Sequence, residues 1–164
     1  MLETGNRFPN FSLPNQDGKT VTLSDFAGKW LVVYFYPKDD TPGCTIQGKS
    51  FTTSKSEFDD AGIAVVGVSQ DNVASHKSFG DKFNFKVELL ADTDAGLMKD
   101  LGIGQTEWNG VKYWDRSTFV VDPQGVIRKV YEKVNPQGHE QVLLEDIKKL
   151  KETTSATQGG RYGS

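Results

Sequence analysis

Apolar residues in this chain come in short runs of different period. Residues 30–36, WLVVYFY, are continuously apolar, aromatic or β-branched, and residues 63–69, IAVVGVS, nearly so. Runs of that length predict strands buried on both faces of a sheet. Residues 8–23 instead alternate apolar and polar positions around Asp17-Gly18, which predicts a short β-hairpin. Ser24-Asp25 then offers a cap for one helical turn before Gly28. Helical spacing sets in where Asp71-Asn72 can cap a segment carrying His76, Phe79 and Phe83 on one face. A short strand over 87–90 follows, and Asp92 or Thr93 caps a helix with Leu97, Met98 and Leu101 inward. Residues 102–115 read as a loop around an Asn109-Gly110 turn. Strands over 117–122 and 126–134 are joined by Pro123-Gln124-Gly125. A final helix over 136–151 turns Leu143, Ile147 and Leu150 inward. One further helix, over 42–60, has only middling propensity, since Gly48 and several Ser and Thr weaken it.

The order is β-hairpin, β-α-β-α-β-α, then β-hairpin and helix. Buried strands alternating with helices predict an α/β protein with a largely parallel core, and the closing antiparallel hairpin makes the sheet mixed. That is the layout of a thioredoxin-like fold: a mixed central β-sheet flanked by helices, with an N-terminal β-hairpin extension. One domain over residues 1–151 is expected. Residues 152–164 are polar and rich in Gly, Ser and Thr, and are expected to form a disordered tail.

Composition narrows the function classes. A net charge of −3 and a pI near 5.4 give no global attraction for nucleic acid. The longest apolar run falls far short of the roughly 20 residues that cross a bilayer. The start, MLETGNRFPNF, lacks a basic segment followed by an apolar one and reads without a signal peptide, and a single cysteine makes the reducing cytoplasm the expected location. The sequence has 1 cysteine, so neither an internal disulfide nor a cysteine metal cage is available. Asp92-Thr93-Asp94 opens like a calcium loop but lacks the later ligands, which favours helix capping. His76 and His139 stand apart without metal-ligand spacing and read as structural or surface residues.

The chemistry concentrates in residues 36–44, YPKDDTPGC. They lie where a central strand gives way to a helix, and ligands of open α/β sheets gather at the carboxyl ends of strands. Thr41 suits the helix N-cap and Pro42 the first helical position. Cys44 then falls in the first turn, where unpaired amides and the positive end of the helix dipole favour a thiolate. A free cysteine of pKa ~8.5 is only ~3% thiolate at pH 7, so that help matters for a nucleophile. Arg116 opens the 117–122 strand. If that strand pairs beside residues 30–36, the guanidinium comes near Cys44. Taken alone, a lone cysteine is more often a small buried hydrophobe, Arg116 a surface ion-pairing residue, and Thr41 a helix cap; the residues leave both readings open.

Three segments carry a resemblance. Pro37-x-x-x-Thr41-x-x-Cys44 resembles the active-site pattern of the peroxiredoxins. Residues 34–45, YFYPKDDTPGCT, are similar to the bacterioferritin comigratory protein, or PrxQ, branch. Residues 116–125, RSTFVVDPQG, and 8–18, FPNFSLPNQDG, resemble two further signatures of that branch, in family order. The resemblance spans about residues 3 to 151. It implies a thiol-dependent peroxidase of hydrogen peroxide and organic hydroperoxides, needing no metal or organic cofactor. Cys44 would be the peroxidatic cysteine. Arg116 would stabilise its thiolate and the charge building on the peroxide. Thr41 would orient the peroxide, Pro37 would wall the pocket, and the amides of Gly43 and Cys44 would donate to the peroxide oxygens. The reductant would be thioredoxin, glutaredoxin or a small thiol, and the protein a monomer or weak homodimer. Where the branch places a resolving cysteine, this chain has Lys49 or, in the next helix, Gly80. A one-cysteine mechanism follows from that departure, or the loss of a resolving cysteine by mutation. A peroxide sensor or redox relay, passing oxidation to a partner protein, is the alternative.

Overall fold

The computed structural model describes residues 1–162, with side chains through Glu152. Strands β1 (Ser12–Pro14) and β2 (Thr20–Thr22) form the N-terminal hairpin. They are shorter than the alternation over 8–23 suggests, because Asn15 turns the chain early: its Oδ1 accepts the amides of Asp17 and Lys19 at 2.9 and 3.0 Å. A single 3-10 turn follows at Leu23–Phe26. Asp25 closes it by accepting the Thr22 amide at 2.9 Å.

The main sheet has the order β5-β4-β3-β8-β9. Its centre is β3 (Trp30–Phe35), buried at every position. It runs parallel to β4 (Ile63–Ser69), which is parallel to β5 (Glu88–Ala91). On its other side β3 pairs antiparallel with β8 (Ser117–Val121), which pairs antiparallel with β9 (Ile127–Tyr131). The expected mixed sheet is thus present, and the strand opened by Arg116 does lie beside the strand that leads to Cys44.

Alternation along β3 divides the core. Leu31, Val33 and Phe35 face the first cluster, with Phe119, Val121, Phe8, Phe11 and residues of helix α4 (Gly96–Leu101). Val32, Tyr34 and Tyr36 face the second, with Cys44, Phe51, Phe58, Phe79, Leu143 and Ile147. Those last residues come from α1 (Pro42–Thr53), α2 (Lys55–Asp60), α3 (Val73–Phe83) and α5 (His139–Tyr162). As expected, Asn72 caps α3, its Oδ1 accepting the Ser75 amide at 2.8 Å. Asp92 holds the start of α4 by accepting the amides of Leu97 and Met98.

Three expectations are corrected. The helix over 42–60 is two helices: Ser54, with ψ 7°, ends α1 and opens α2. Thr52, Thr53 and Ser54 at that junction are weak helix formers, and Thr52 Oγ1 accepts the Lys86 amide from outside the helix at 3.0 Å. The loop over 102–115 contains a hairpin, β6 (Gln105–Trp108) and β7 (Val111–Trp114). Asn109 and Gly110, at φ 52° and 77°, turn it as a type I′ pair does. The last helix begins at His139, after Gly138 at φ 78°, and continues past Lys151 to Tyr162. No proline interrupts residues 152–162, and their first glycine is Gly159. Gly163 and Ser164, the end of the expected tail, lie outside the described residues.

Candidate active site

The chain leaves β3 at Tyr36, crosses residues 37–41 and enters α1. Thr41 occupies the N-cap position in extended conformation and Pro42 stands at the helix start. The first helical hydrogen bond runs from the Thr45 amide to the Thr41 carbonyl at 2.8 Å. The amides of Gly43 and Cys44 therefore precede the ladder, at the positive end of the helix. The Thr41 side chain does not cap the helix. Its Oγ1 donates instead to the Lys38 carbonyl at 2.8 Å.

Cys44 is 2% exposed. Arg116 reaches it because β8 pairs with β3 in the register Phe35↔Ser117, which sets Arg116 at the end of β3 beside the helix start. Its Nη1 lies 3.4 Å from Cys44 Sγ and donates to Gln47 Oε1 at 2.6 Å. A permanent cation thus sits against the sulfur, held by a buried amide one turn further along α1. Gly43 makes room for it: a Cβ there would lie 2.7 Å from Arg116 Nη2. Burial, with the Cys44 charge adding to it, holds the Tyr34 hydroxyl far above its ordinary value, so it stays protonated beneath the site.

Pro37, Thr41, Gly43 and Arg116, all singled out from the sequence, line one open depression of about 560 Å³. Lys38, Asp39 and Asp40 of the same loop, with Trp108 and Tyr113 of the β6–β7 hairpin, complete its lining, and the buried Cys44 meets it through Arg116. Gln47 is the residue that sequence reading missed. The available signal was its position three residues after Cys44, which on a helix is the same face. Both histidines are buried. Among the described residues no group of three or more His, Cys, Asp or Glu side chains is placed to hold a metal ion. Nor is any described helix long and apolar enough to cross a membrane.

Residues 4–130 match the model of the AhpC/TSA family. This chain belongs to that family. A peroxiredoxin bcp of Coxiella burnetii is 41% identical over 142 residues, covering 84% of this chain and 93% of that protein. The chloroplastic peroxiredoxin Q of Triticum aestivum is also 41% identical, over 150 residues, covering 91% of this chain and 68% of that one. Among solved structures, the Xanthomonas campestris bacterioferritin comigratory protein, described for its alkyl peroxide reduction activity, superposes with a TM-score of 0.79 at 39% identity. That match covers 84% of this chain and 90% of the other. A Xylella fastidiosa PrxQ superposes with a TM-score of 0.87 at 34% identity, covering 92% of this chain and 98% of its own. The peroxiredoxin resemblance read from the three sequence segments, and the thioredoxin-like fold it implies, are borne out.

Proposed function

We propose that this peroxiredoxin, acting as one domain over residues 1–151, reduces hydroperoxides at Cys44. The observation that supports this most directly is the cation at the sulfur: Arg116 Nη1 at 3.4 Å from Sγ, on a helix start, beside the open depression. The Cys44 thiolate attacks one peroxide oxygen. An S–O bond forms as the O–O bond breaks, and the departing oxygen leaves as water or an alcohol once protonated, with Cys44 left as sulfenic acid. Arg116 and the amides of Gly43 and Cys44 are the donors available to the charge that builds on the peroxide oxygens. The Thr41 hydroxyl, whose own proton is committed to Lys38, is an acceptor for the proton of the hydroperoxide. Pro37 and Gly43 bound the pocket. Alkyl hydroperoxides are included among the substrates, in line with the alkyl peroxide reduction described for the Xanthomonas relative.

Since the chain holds 1 cysteine, the sulfenic acid has no internal partner. An external thiol condenses with it, forming a mixed disulfide and water, and a second thiol releases Cys44 and carries off the disulfide. Thioredoxin, glutaredoxin or a small thiol supplies these electrons. The test is one stoichiometric turnover with hydrogen peroxide at pH 7, followed by tryptophan fluorescence and trapping with a sulfenic-acid probe. Cys44→Ser abolishes labelling. Arg116→Ala slows oxidation by roughly 100- to 1000-fold, the range for removing one such donor. Oxidation at the pace of a free thiol, indifferent to Arg116, would sink the assignment.

A further inference from the structure

The loop that lines the depression is fastened from behind by a buried polar cluster. His76 on α3 is 0% exposed. Its Nδ1 lies 2.7 Å from Asp39 Oδ2 and its Nε2 lies 2.9 Å from the Leu90 carbonyl of β5. Asp39, 8% exposed, also accepts from Tyr36 Oη at 2.6 Å and from Ser75 Oγ at 2.8 Å. Its amide donates to Asp71 Oδ2 at 2.8 Å, and Ser69 Oγ donates to that same oxygen at 2.7 Å. A carbonyl oxygen only accepts, and a carboxylate already taking two hydroxyl donors is also an acceptor. Both ring nitrogens of His76 therefore face acceptors.

We infer that His76, with a proton on each ring nitrogen, and Asp39 form a buried ion pair that positions the peroxide pocket by holding residues 37–41 against α3 and β5. The inference rests on the peroxidase assignment above. Asp39 lies between Pro37 and Thr41 in the chain, and both line the depression. Asp39 is itself part of the lining, but both of its carboxylate oxygens are engaged by Tyr36, Ser75 and His76, so the pair acts on the pocket through the loop as positioning residues. The next residue, Asp40, takes a left-handed φ of 57° and is tied to Lys82 of α3 at 2.8 Å. A non-glycine residue holds such a conformation only where its surroundings enforce it. The pair is the buried part of that enforcement, and the exposed Asp40–Lys82 contact contributes little.

The conservative variant separates position from charge. In Asp39→Asn the amide Oδ1 still accepts from Tyr36, and Nδ2 donates to His76 Nδ1, which becomes a neutral ring that keeps its bond to Leu90. In Asp39→Ala both bonds are lost. The experiment compares wild type, Asp39→Asn, Asp39→Ala and His76→Ala by two rates at Cys44: oxidation by hydrogen peroxide and alkylation by iodoacetamide. Ring-nitrogen NMR of His76 in the wild type and in Asp39→Asn accompanies them. Expected are two ring protons in the wild type and one in Asp39→Asn. Oxidation falls roughly 10- to 100-fold in Asp39→Ala and His76→Ala, the scale of a misplacement of about 1 Å. Asp39→Asn recovers most of the rate, and alkylation is not slowed in any variant. A single ring proton in the wild type, or Asp39→Ala oxidised as fast as wild type, overturns the inference even if His76→Ala does not fold. Failure of wild-type Cys44 itself to outpace a free thiol would instead strike the peroxidase assignment.

Discussion

The two faces of the central sheet are made by alternate residues of the same strands, yet they do different work. On one, Leu31, Val33, Phe35, Phe119 and Val121 pack against Phe8, Phe11, Met98 and Leu101 with no hydroxyl, thiol or indole among the buried members. On the other, the intervening positions bring Tyr34, Tyr36 and Cys44 under the helices, with Thr118 at the same level of β8. Each buried polar group on that second face needs a partner, and each partner fixes an orientation. Tyr36 finds Asp39, Thr118 finds His139, and Arg116 finds Gln47 and Cys44. The first face therefore supplies cohesion without direction. The second gives up some cohesion for directed contacts, and the reactive sulfur is one of them.

Breaking the dry face should cost stability and spare the chemistry. Phe119 is 0% exposed and packs edge-on against Phe8 and Phe35 at centroid distances of 5.8 and 5.9 Å. Phe119→Ala should destabilise the fold by about 3–5 kcal/mol, as removal of a buried aromatic does. Urea unfolding measures the loss. In the absence of denaturant, the rate of Cys44 oxidation should stay at the wild-type value; a rate that drops with stability would mean the two faces are not independent.

The polar face can be broken with acid. His139 is buried at the start of α5, with Nε2 2.9 Å from Thr118 Oγ1. Burial pushes its pKa down to about 4 from the ordinary 6.5, against a smaller opposing pull from Asp146. The folded protein thus keeps this ring neutral where the unfolded chain takes up a proton. Stability is complete above the unfolded value and is lost as pH falls from about 6.5 toward 4, because the unfolded state binds more protons in that window. At about 1.4 kcal/mol per unit the loss reaches ~3 kcal/mol. His139→Gln can still hydrogen-bond to Thr118 and has no proton to gain. Its stability relative to wild type should therefore rise as pH is lowered from 7 to 4.5 in urea titrations. Parallel curves for the two proteins would remove His139 from the acid response.

The contrast between the faces also explains what could be read in the sequence. The strands at residues 30–36, 63–69 and 117–122 announce themselves as dense apolar runs. Their pairing was enough to bring Arg116 to Cys44 across 72 positions of chain. The Asp39–His76 pair gave no such sign. A histidine at the spacing of Phe79 and Phe83 looks like part of an apolar stripe, and nothing in the sequence says which of two adjacent aspartates turns inward. The β6–β7 hairpin was hidden for the opposite reason: its positions are largely exposed, so burial imposed no alternation, and Asn109-Gly110 was its sole signal. The break at Ser54 escaped because the helices on either side continue the same inward pattern, through Phe51 and Phe58.

The smallest effect separates two glycines in helices that cover the polar face. At Gly48 of α1 an added Cβ would lie 2.2 Å from the Phe85 ring. That ring is stacked on Phe83 and set edge-on to Phe79, so it cannot swing aside freely. At Gly80 of α3 a Cβ would meet nothing within 4 Å. Either change to alanine gains helix propensity, about 0.5–1 kcal/mol. For Gly48→Ala the overpacking, about 1–3 kcal/mol, outweighs it and the protein is destabilised. For Gly80→Ala nothing opposes it, and the midpoint in urea should move up. The two variants should thus shift in opposite directions although the residue exchange is the same. A gain at both would mean that the Phe79, Phe83 and Phe85 cluster yields more easily than its packing implies. A loss at Gly80 would mean that the open side of α3 is occupied in solution by something the chain alone does not supply.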